Sequence, residues 1–334
     1  MKVLVTGGSS LIGAGVANAL ASRGDDVVCV QRRHSPLVGI GVTQILGDLR
    51  DPAVALHAGA GCDAVVHVAA KVGVVGPWED YRSINVDGTV NVISAALARG
   101  VRRVVYVSSP SVAHGGEPIV GGAADAPVLG RRRAWYPESK AMAEILALDA
   151  ASSALGVVSI RPHLVWGPGD TQLVGRIVDR ARAGRLALVG GGRALVDTTY
   201  IDNAVAALVA ALDAVEPDAR CSGRAYVVSN GEPRMIRELM EGICDAAGVP
   251  FAPRDVSLRI GRSAGAAVER LWPLLRRDDE PPLTQFLAEQ LGTAHWFDPR
   301  PVEQDLGWVP SVSIDDGLSR LADWYASDPR RAAP

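Results

Sequence analysis

The sequence predicts an α/β fold: a doubly wound parallel sheet with a smaller, mostly helical lobe toward the C-terminus. Three observations support this class. Short β-branched runs alternate with longer helical patterns in the first half, the strand candidates are almost continuously apolar, and the alternation loosens after about residue 165. Apolar strands separated by helices are typical of a parallel sheet covered on both faces. Right-handed crossovers then place a ligand crevice at the carboxyl ends of the strands.

The individual elements follow from the period and length of the apolar patterns. Strands are expected over residues 3–6, 27–31, 43–46, 64–68, 103–107 and 157–161. Helices are expected over residues 11–22, 80–99, 136–155, 172–183, 202–213, 236–247, 263–276 and 314–325. These patterns predict one domain over residues 1–165 and a lobe over residues 166–330, with residues 186–230 partly returning to the sheet.

Composition excludes several function classes. The 334 residues include 34 basic and 37 acidic side chains, and the net charge of −3 is too balanced for binding nucleic acid or an anionic membrane by bulk charge. The four cysteines form no close pair and the six histidines lack metal-ligand spacing, so we expect neither a disulfide framework nor a metal site. Because the sequence has no signal-peptide pattern and no membrane-spanning apolar run, we expect a cytoplasmic protein.

A glycine-containing turn at residues 6–13 lies between the first predicted strand and the first predicted helix. Glycines let a backbone approach a pyrophosphate closely, and a helix N-terminus stabilises the phosphate charge. The spacing matches a dinucleotide-binding motif at both ends, with a serine in place of the middle glycine. The predicted contacts in this turn are Gly7, Ser10, Leu11, Ile12 and Gly13.

The end of the second strand bears on the choice of cofactor. It carries no carboxylate to bind a ribose 2′-hydroxyl, and two arginines there can accept a 2′-phosphate. We therefore expect NADP(H), with NAD(H) as the alternative. The predicted adenosine-side contacts are Gln31, Arg32, Arg33, Asp48 and Leu49.

Tyr136 and Lys140 lie one helical turn apart on the same face of a predicted helix. An ammonium group at that spacing stabilises phenolate, so we expect Lys140 to lower the pKa of Tyr136 from its usual value near 10. Only three of the basic residues are lysines, which makes this pairing informative. Ser108 and Ser109 end the preceding strand, and either is placed to hold a substrate oxygen.

Taken together, these residues resemble the extended short-chain dehydrogenase/reductase superfamily, whose dinucleotide domain is of the Rossmann type. They resemble most its 3β-hydroxysteroid dehydrogenase-like branch and, within it, the 2-alkyl-3-oxoalkanoate reductases of olefin and β-lactone biosynthesis. The closer similarity lies in residues 67–73, 108–112, 161–170, 197–203, 281–286 and 295–298.

The resemblance implies roles for particular residues. It makes Ser109 the catalytic serine, Tyr136 the proton donor or acceptor, and Lys140 a ribose ligand, with Asn85 in a supporting role. It adds cofactor contacts at Ala69, Ala70, Lys71, Ser108, Pro162, His163 and Leu164. Substrate contacts are expected at Ser111, Trp166 and Thr199.

The implied reaction is hydride transfer between NADP(H) and a hydrophobic 3-oxo or 3-hydroxy substrate, represented best by reduction of a 2-alkyl-3-oxoalkanoate to the 2-alkyl-3-hydroxyalkanoate. A 3β-hydroxysteroid dehydrogenase, a nucleotide-sugar epimerase or dehydratase, and a non-catalytic cofactor-sensing protein stay open as alternatives. Gln31 argues against the steroid enzyme, because NAD-using steroid dehydrogenases carry Asp at this position. The apolar helix at residues 263–276 indicates lobe packing, with an acyl pocket or peripheral membrane contact as alternatives. A homodimer is also left open.

Overall fold

The computed structural model describes residues 1–36, 39, 41–73, 76–130, 134–272 and 284–328. Within them the strands, in chain order, are Lys2–Thr6 (β1), Asp26–Gln31 (β2), Val42–Leu46 (β3), Ala64–His67 (β4), Arg103–Val107 (β5), Ile119–Gly122 (β6), Gly156–Pro162 (β7), Val165–Trp166 (β8), Ala187–Val189 (β9), Leu195–Val196 (β10), Thr199–Tyr200 (β11), Arg224–Val228 (β12), Arg234–Met235 (β13), Arg254–Val256 (β14) and His295–Phe297 (β15).

The α-helices of the same residues, in chain order, are Leu11–Ser22 (α1), Pro52–Ala58 (α2), Trp78–Tyr81 (α3), Gly88–Arg99 (α4), Trp135–Asp149 (α5), Val174–Arg182 (α6), Ile201–Ala214 (α7), Ile236–Ala246 (α8), Leu258–Leu271 (α9), Gln285–Gly292 (α10), Arg300–Leu306 (α11) and Ile314–Ala326 (α12). The helix predicted over residues 11–22 is confirmed to the residue. The helix predicted over residues 80–99 is interrupted, because Arg82–Asp87 forms a π-helical segment between α3 and α4.

The main sheet is parallel, and its strand order is β12-β7-β5-β4-β1-β2-β3. Valines dominate its strands, and successive side chains point to opposite faces, so each face is apolar. One face packs on α1, α7 and α11, and the other packs on α2, α4 and α5. The predicted doubly wound parallel sheet is therefore confirmed.

A second apolar core lies beyond the sheet. It gathers buried side chains of α6, α8 and α12 around Trp166 and Tyr200. Leu11 and Ile12 pack against this cluster from the start of α1, so the lobe adjoins the end of β1. The short strands in this half, two or three residues long, escaped the sequence analysis because alternation cannot be recognised over so few positions.

Two sequence predictions fall partly outside the described residues. They are the last residues of the helix predicted at 263–276 and the first residues of the segment at 281–286. Among the described helices, none combines the length and the apolar content that crossing a bilayer requires.

Candidate active site

The site lies where the strand order reverses. The strand β1 pairs with β2 on one side and with β4 on the other, so the connections leaving β1 and β4 diverge and leave a crevice at their carboxyl ends. A cavity of about 540 Å³ opens there. Residues after β1, β2, β4, β5 and β7 line it, together with residues of α6 and α10.

The turn after β1 is built for close backbone approach. Gly7 has a φ of +74°, and a β-carbon on it would lie 2.9 Å from the Cα of Ala69. Ser10 caps α1: its Oγ accepts a hydrogen bond from the amide of Gly13 at 3.1 Å and donates to the carbonyl of Gly7 at 2.8 Å. Ser10, at the middle position of the motif, therefore bonds to both ends of its own turn, and these bonds fix its side chain.

The end of the cavity next to β2 and β3, where the adenosine of a cofactor is expected, is lined by Gln31, Arg32, Asp48, Leu49 and Arg50. The buried Gln31 donates from Nε2 to the Oε1 of Gln44 on the neighbouring strand β3. Arg50 holds Asp48 through two side-chain contacts, the shorter at 2.7 Å, and this hydrogen bonding keeps the pKa of Asp48 below its ordinary value. The carboxylate at this end is thus already paired with a guanidinium.

Ser109, Tyr136 and Lys140 line the same cavity. The hydroxyl of Ser109 interacts with the phenol of Tyr136 and also accepts from the Oγ of Ser111 at 2.9 Å. Of the two strand-end serines, Ser109 is therefore the one that reaches the tyrosine. Lys140 is almost fully buried, and its Nζ donates to the carbonyl of Val107 at 2.6 Å.

The prediction that Lys140 lowers the pKa of Tyr136 is wrong. Burial raises the pKa of Tyr136 to about 12, and the hydrogen bond with Ser109 only partly opposes that rise. Burial also lowers the pKa of Lys140 to about 7, against a smaller raising effect of Glu144. Burial is the largest cause of both shifts, and neither group is among the causes of the other's pKa shift. At neutral pH the phenol is consequently protonated.

The π-helical segment positions Asn85 beneath the site. The amide of Asn85 donates to the Oγ of Ser139 at 2.9 Å and to the carbonyl of Lys71 at 3.0 Å, and its Oδ1 accepts from the backbone amide of Lys71 at 2.6 Å. π-Helical turns occur frequently at functional sites. Here the turn ties the loop after β4 to the helix that carries Tyr136 and Lys140.

The chain after β7 forms the opposite end of the cavity. Pro162, His163 and Leu164 line it, and Leu164 adopts a φ of 44°, which strains a residue with a side chain. His163 donates from Nδ1 to the carbonyl of Asp197, and burial lowers its pKa to about 3, so the ring is neutral. Thr199 secures this turn by donating to the carbonyl of His163 at 2.8 Å.

Five predicted site residues do not line the cavity, which corrects their predicted role as direct contacts. Gly13 packs against the Gly7 carbonyl inside the turn, and Arg33 is exposed. The ammonium of Lys71 instead lies 3.4 Å from Asp80. Trp166 and Thr199 are buried in the packing beneath the site, where Trp166 Nε1 donates to the Oγ1 of Thr198 at 2.9 Å. The other predicted site residues all line the cavity.

Further residues line the cavity beyond those predicted from the sequence. They include Arg50 after β3, a group before and along α6, and a group at the start of α10 and along it: Asp170, Gln172, Leu173, Arg176, Arg180, Thr284, Leu287 and Gln290. The arginines of α6 carried a usable signal, because their spacing of four residues places them on one face of a predicted helix. The α10 residues had none, since only the tertiary fold brings them to the cavity.

The residues present fit a dinucleotide cofactor. Besides the glycine turn, two buried polar atoms of the described lining residues, Gln31 Oε1 and Ser108 Oγ, have no hydrogen-bond partner within the protein. Buried polar atoms are normally hydrogen-bonded, so their presence at both ends of the cavity indicates a polar ligand that spans it. These features define a dinucleotide-dependent enzyme with a Ser–Tyr–Lys group at its cofactor cavity.

Comparison with known proteins specifies the class. Residues 4–257 match the model of the 3-beta hydroxysteroid dehydrogenase/isomerase family, and the chain belongs to that family. It is therefore an NAD(P)-dependent oxidoreductase of the extended short-chain dehydrogenase/reductase type, as the sequence analysis expected.

Two relatives match over almost the whole chain. The chain is 49% identical to a 2-alkyl-3-oxoalkanoate reductase of Stenotrophomonas maltophilia (strain K279a), over 96% of this chain and 98% of the relative. It is 39% identical to a 2-alkyl-3-oxoalkanoate reductase of Shewanella oneidensis, over 95% of this chain and 84% of the relative. Among solved structures, MoeE5 in complex with UDP-glucuronic acid and NAD is 26% identical with a TM-score of 0.75, covering 98% of this chain and 99% of that one.

Proposed function

We propose that this protein reduces the 3-oxo group of a 2-alkyl-3-oxoalkanoate with NADPH, giving the 2-alkyl-3-hydroxyalkanoate. The observation that carries the proposal is the placement of Tyr136, Ser109 and Lys140 on one cavity, in a chain 49% identical to a reductase of that name. The cavity also presents apolar side chains suited to an alkyl chain, namely Val72, Ile84, Leu164, Leu173 and Leu287.

A bound nicotinamide supplies the hydride that adds to the carbonyl carbon. Tyr136 donates its phenolic proton to the carbonyl oxygen, and a pKa of about 12 keeps that proton in place at neutral pH. Ser109 interacts with the same phenol and stabilises the oxygen as negative charge develops on it. The tyrosinate left after the transfer takes a proton from solvent, which restores the enzyme.

Lys140 and its surroundings support this chemistry from below. Its buried Nζ is anchored on the carbonyl of Val107, next to the ring of Tyr106. We infer that Lys140 holds the ribose hydroxyls of the cofactor, because a compact ammonium with three donors can hydrogen-bond a diol and a carbonyl together. Pro162, His163 and Leu164 border the nicotinamide, and Ala69 and Ala70 border the adenosine side.

The preference for NADPH rests on the charges at the adenosine end. Arg32 and Arg50 both line the cavity there, and the pairing of Asp48 with Arg50 leaves a net positive wall. Guanidinium groups bind phosphate in a bidentate geometry, so we assign the 2′-phosphate to this wall. The buried amide of Gln31 imposes no charge repulsion on a phosphate.

The test of the reaction is a substrate panel of 2-alkyl-3-oxo acids, sterols and nucleotide sugars, followed by NADPH and NADH absorbance. We expect oxidation of NADPH with the oxo acid. Tyr136→Phe should lower kcat by about 10²- to 10⁴-fold, the usual value of a general acid, while NADPH still binds. Tyr226→Phe is the matched control, since that phenol bonds to Asp305 and does not line the cavity.

Retained activity in Tyr136→Phe would refute the proton-donor assignment. Turnover of sterols or nucleotide sugars in place of the oxo acid would refute the proposed substrate.

Two single variants at neighbouring positions test the assignment of NADPH as the cofactor. Arg32→Ala should raise the dissociation constant of NADPH about tenfold, and that of NADH far less, as measured by fluorescence titration. Arg33→Ala, at the next position but off the cavity, should leave both constants unchanged. Equal weakening of NADPH and NADH by Arg32→Ala would overturn the 2′-phosphate assignment.

A further inference from the structure

We propose that the side-chain amide of Gln290 binds the carboxyl group of the substrate, so that α10 contributes to the selection of acids. The inference rests on the proposed function and deepens it, because it assigns a partner to the one polar group of the substrate that the catalytic residues leave unbound. The helix α10 lies outside residues 4–257, the part of the chain that matches the family model.

One face of α10 forms a wall of the cavity. Thr284, which caps the helix, is followed at intervals of three residues by Leu287 and Gln290, and all three line the cavity. The opposite face, with Ala288 and Gly292, packs closely on α9, where a β-carbon on Gly292 would lie 2.6 Å from the side chain of Leu258. The packing of α10 therefore turns the face with Gln290 toward the cavity.

The side-chain amide of Gln290 is open to a ligand. The residue is half-buried, and its amide forms no hydrogen bond with the part of the chain that the structure describes. Its backbone carbonyl accepts from Nε2 of His295 at 2.6 Å, which fixes the backbone at this position. Gln285, at the start of the same helix and off the cavity, instead donates from its amide to the Oε1 of Glu289 at 3.3 Å.

Gln290 lies beside the end of the cavity that we assign to the nicotinamide. The ring of His295, which bonds to Gln290, packs edge-on against the ring of His163, with 4.9 Å between the two centroids. His163 lines the cavity after β7. The proposed cofactor contacts all come from residues 7–164, so α10 borders the space beyond the nicotinamide, where a substrate has to lie to receive the hydride.

The chemistry of a 2-alkyl-3-oxoalkanoate fits this wall. Tyr136 and Ser109 take its 3-oxo group, which leaves a carboxylate and two alkyl groups to be held. An amide N–H can donate to a carboxylate oxygen, and such a bond is about twice as strong as one to a neutral oxygen. Leu287, on the same face of α10, offers apolar surface to an alkyl group. The two side chains together suit a substrate that joins a carboxylate to an alkyl chain.

The experiment compares a 2-alkyl-3-hydroxy acid with its methyl ester, using NADP⁺ as the oxidant. The hydroxy acid is chosen because, unlike the oxo acid, it does not lose carbon dioxide during the assay. Wild type, Gln290→Leu and Gln290→Glu are measured for kcat and KM with both compounds, and for NADPH affinity by fluorescence.

Gln290→Leu removes the donor, so KM should rise about tenfold for the acid and about threefold for the neutral ester. Gln290→Glu adds repulsion between like charges, so KM for the acid should rise about 100-fold, and KM for the ester again about threefold. In both variants kcat and NADPH affinity should stay within about twofold of wild type, because the lost bond does not involve the reacting carbonyl.

Gln285→Leu is the matched control, since it alters the same helix off the cavity, and it should leave every constant unchanged. An acid KM within about twofold of wild type in Gln290→Leu, equal rises for acid and ester in Gln290→Glu, or the same rise in the control would overturn the inference and leave the proposed function standing. A loss of NADPH affinity in both Gln290 variants would assign the amide to the cofactor and also overturn it. Wild-type protein that oxidises neither compound would refute the proposed function itself, together with the inference built on it.

Discussion

The ring of Tyr106 should control the protonation of Lys140. The Nζ of Lys140 lies 4.2 Å from the centroid of that ring, and both residues are almost fully buried. A desolvated cation–π contact is worth about 2 kcal/mol, which corresponds to about 1.5 in pKa at 1.36 kcal/mol for each pKa unit. Because the ring stabilises the ammonium form, its removal favours the neutral amine. Tyr106→Leu should therefore lower the pKa of Lys140, which is about 7, by about 1.5.

The scarcity of lysine makes this measurable. Protein labelled with carbon-13 at the lysine ε-position gives three signals, from Lys2, Lys71 and Lys140, and Lys140→Met identifies the third by its loss. The pH titration of that signal is then compared between wild type and Tyr106→Leu. Melting curves check that the leucine variant folds, since loss of ring volume in a core is itself destabilising.

Tyr106→Phe is the control, because it keeps the ring face and removes only the buried hydroxyl, whose side-chain neighbour is Thr89. Its lysine should titrate as in wild type. Glu144, which also favours the ammonium, stays in place in both variants because it is held by Arg161 at 2.9 Å and by Ser159 at 2.6 Å. An unchanged titration in the leucine variant, or an equal shift in the phenylalanine variant, would refute the reasoning.

Two further variants test the turn and the lobe. Gly13→Ala would place a β-carbon 2.2 Å from the carbonyl oxygen of Gly7, so the turn must open; NADPH affinity, measured by fluorescence, should fall at least about tenfold, and a change within twofold would contradict this. Asn203→Leu removes buried hydrogen bonds to Asn230 at 2.9 Å and to the carbonyl of Val312 at 2.7 Å. The free energy of unfolding in urea should fall by about 3 to 5 kcal/mol, and a loss below about 1 kcal/mol would show that the network relaxes.

The sequence predicted the sheet well because its signals are local. The sheet strands of the first half, apart from the partly exposed edge strand β3, are short β-branched runs that are largely buried. The helix at residues 11–22 begins at a serine cap and an alanine-rich stretch. The glycine turn was found for the same reason, since its backbone conformation limits which residues can occupy it. Strand β12 carried a weaker signal, and it joins the sheet only by pairing with β7.

The site was predicted less completely because contact with a cavity depends on the direction of each side chain. Trp166 follows lining residues in the sequence, yet its side chain is buried below the cavity and donates to Thr198. Thr199 is buried there too, and it supports the lining residue His163 by donating to its carbonyl. Ser108 and Ser109 are adjacent, and their spacing alone does not distinguish them. The structure brings Ser109 to Tyr136, the serine that the resemblance implied. The lining residues of α10 follow Tyr136 and Lys140 by more than a hundred positions in the sequence. No local pattern in the sequence indicates that α10 contacts the first domain.

The prediction that Lys140 lowers the pKa of Tyr136 failed for a reason that defines the resting state of the site. Helical spacing establishes that Lys140 is near Tyr136, but burial acts on each group separately and raises the phenol pKa while it lowers the amine pKa. A buried, protonated phenol is prepared to give a proton, which is the step that reduction of a ketone requires. Donation of that proton leaves the same buried tyrosinate that oxidation of an alcohol would start from, so burial opposes ionisation of Tyr136 equally in both directions. The raised pKa therefore fixes the protonated phenol as the resting form at neutral pH, and the direction of the reaction depends on the cofactor and substrate supplied.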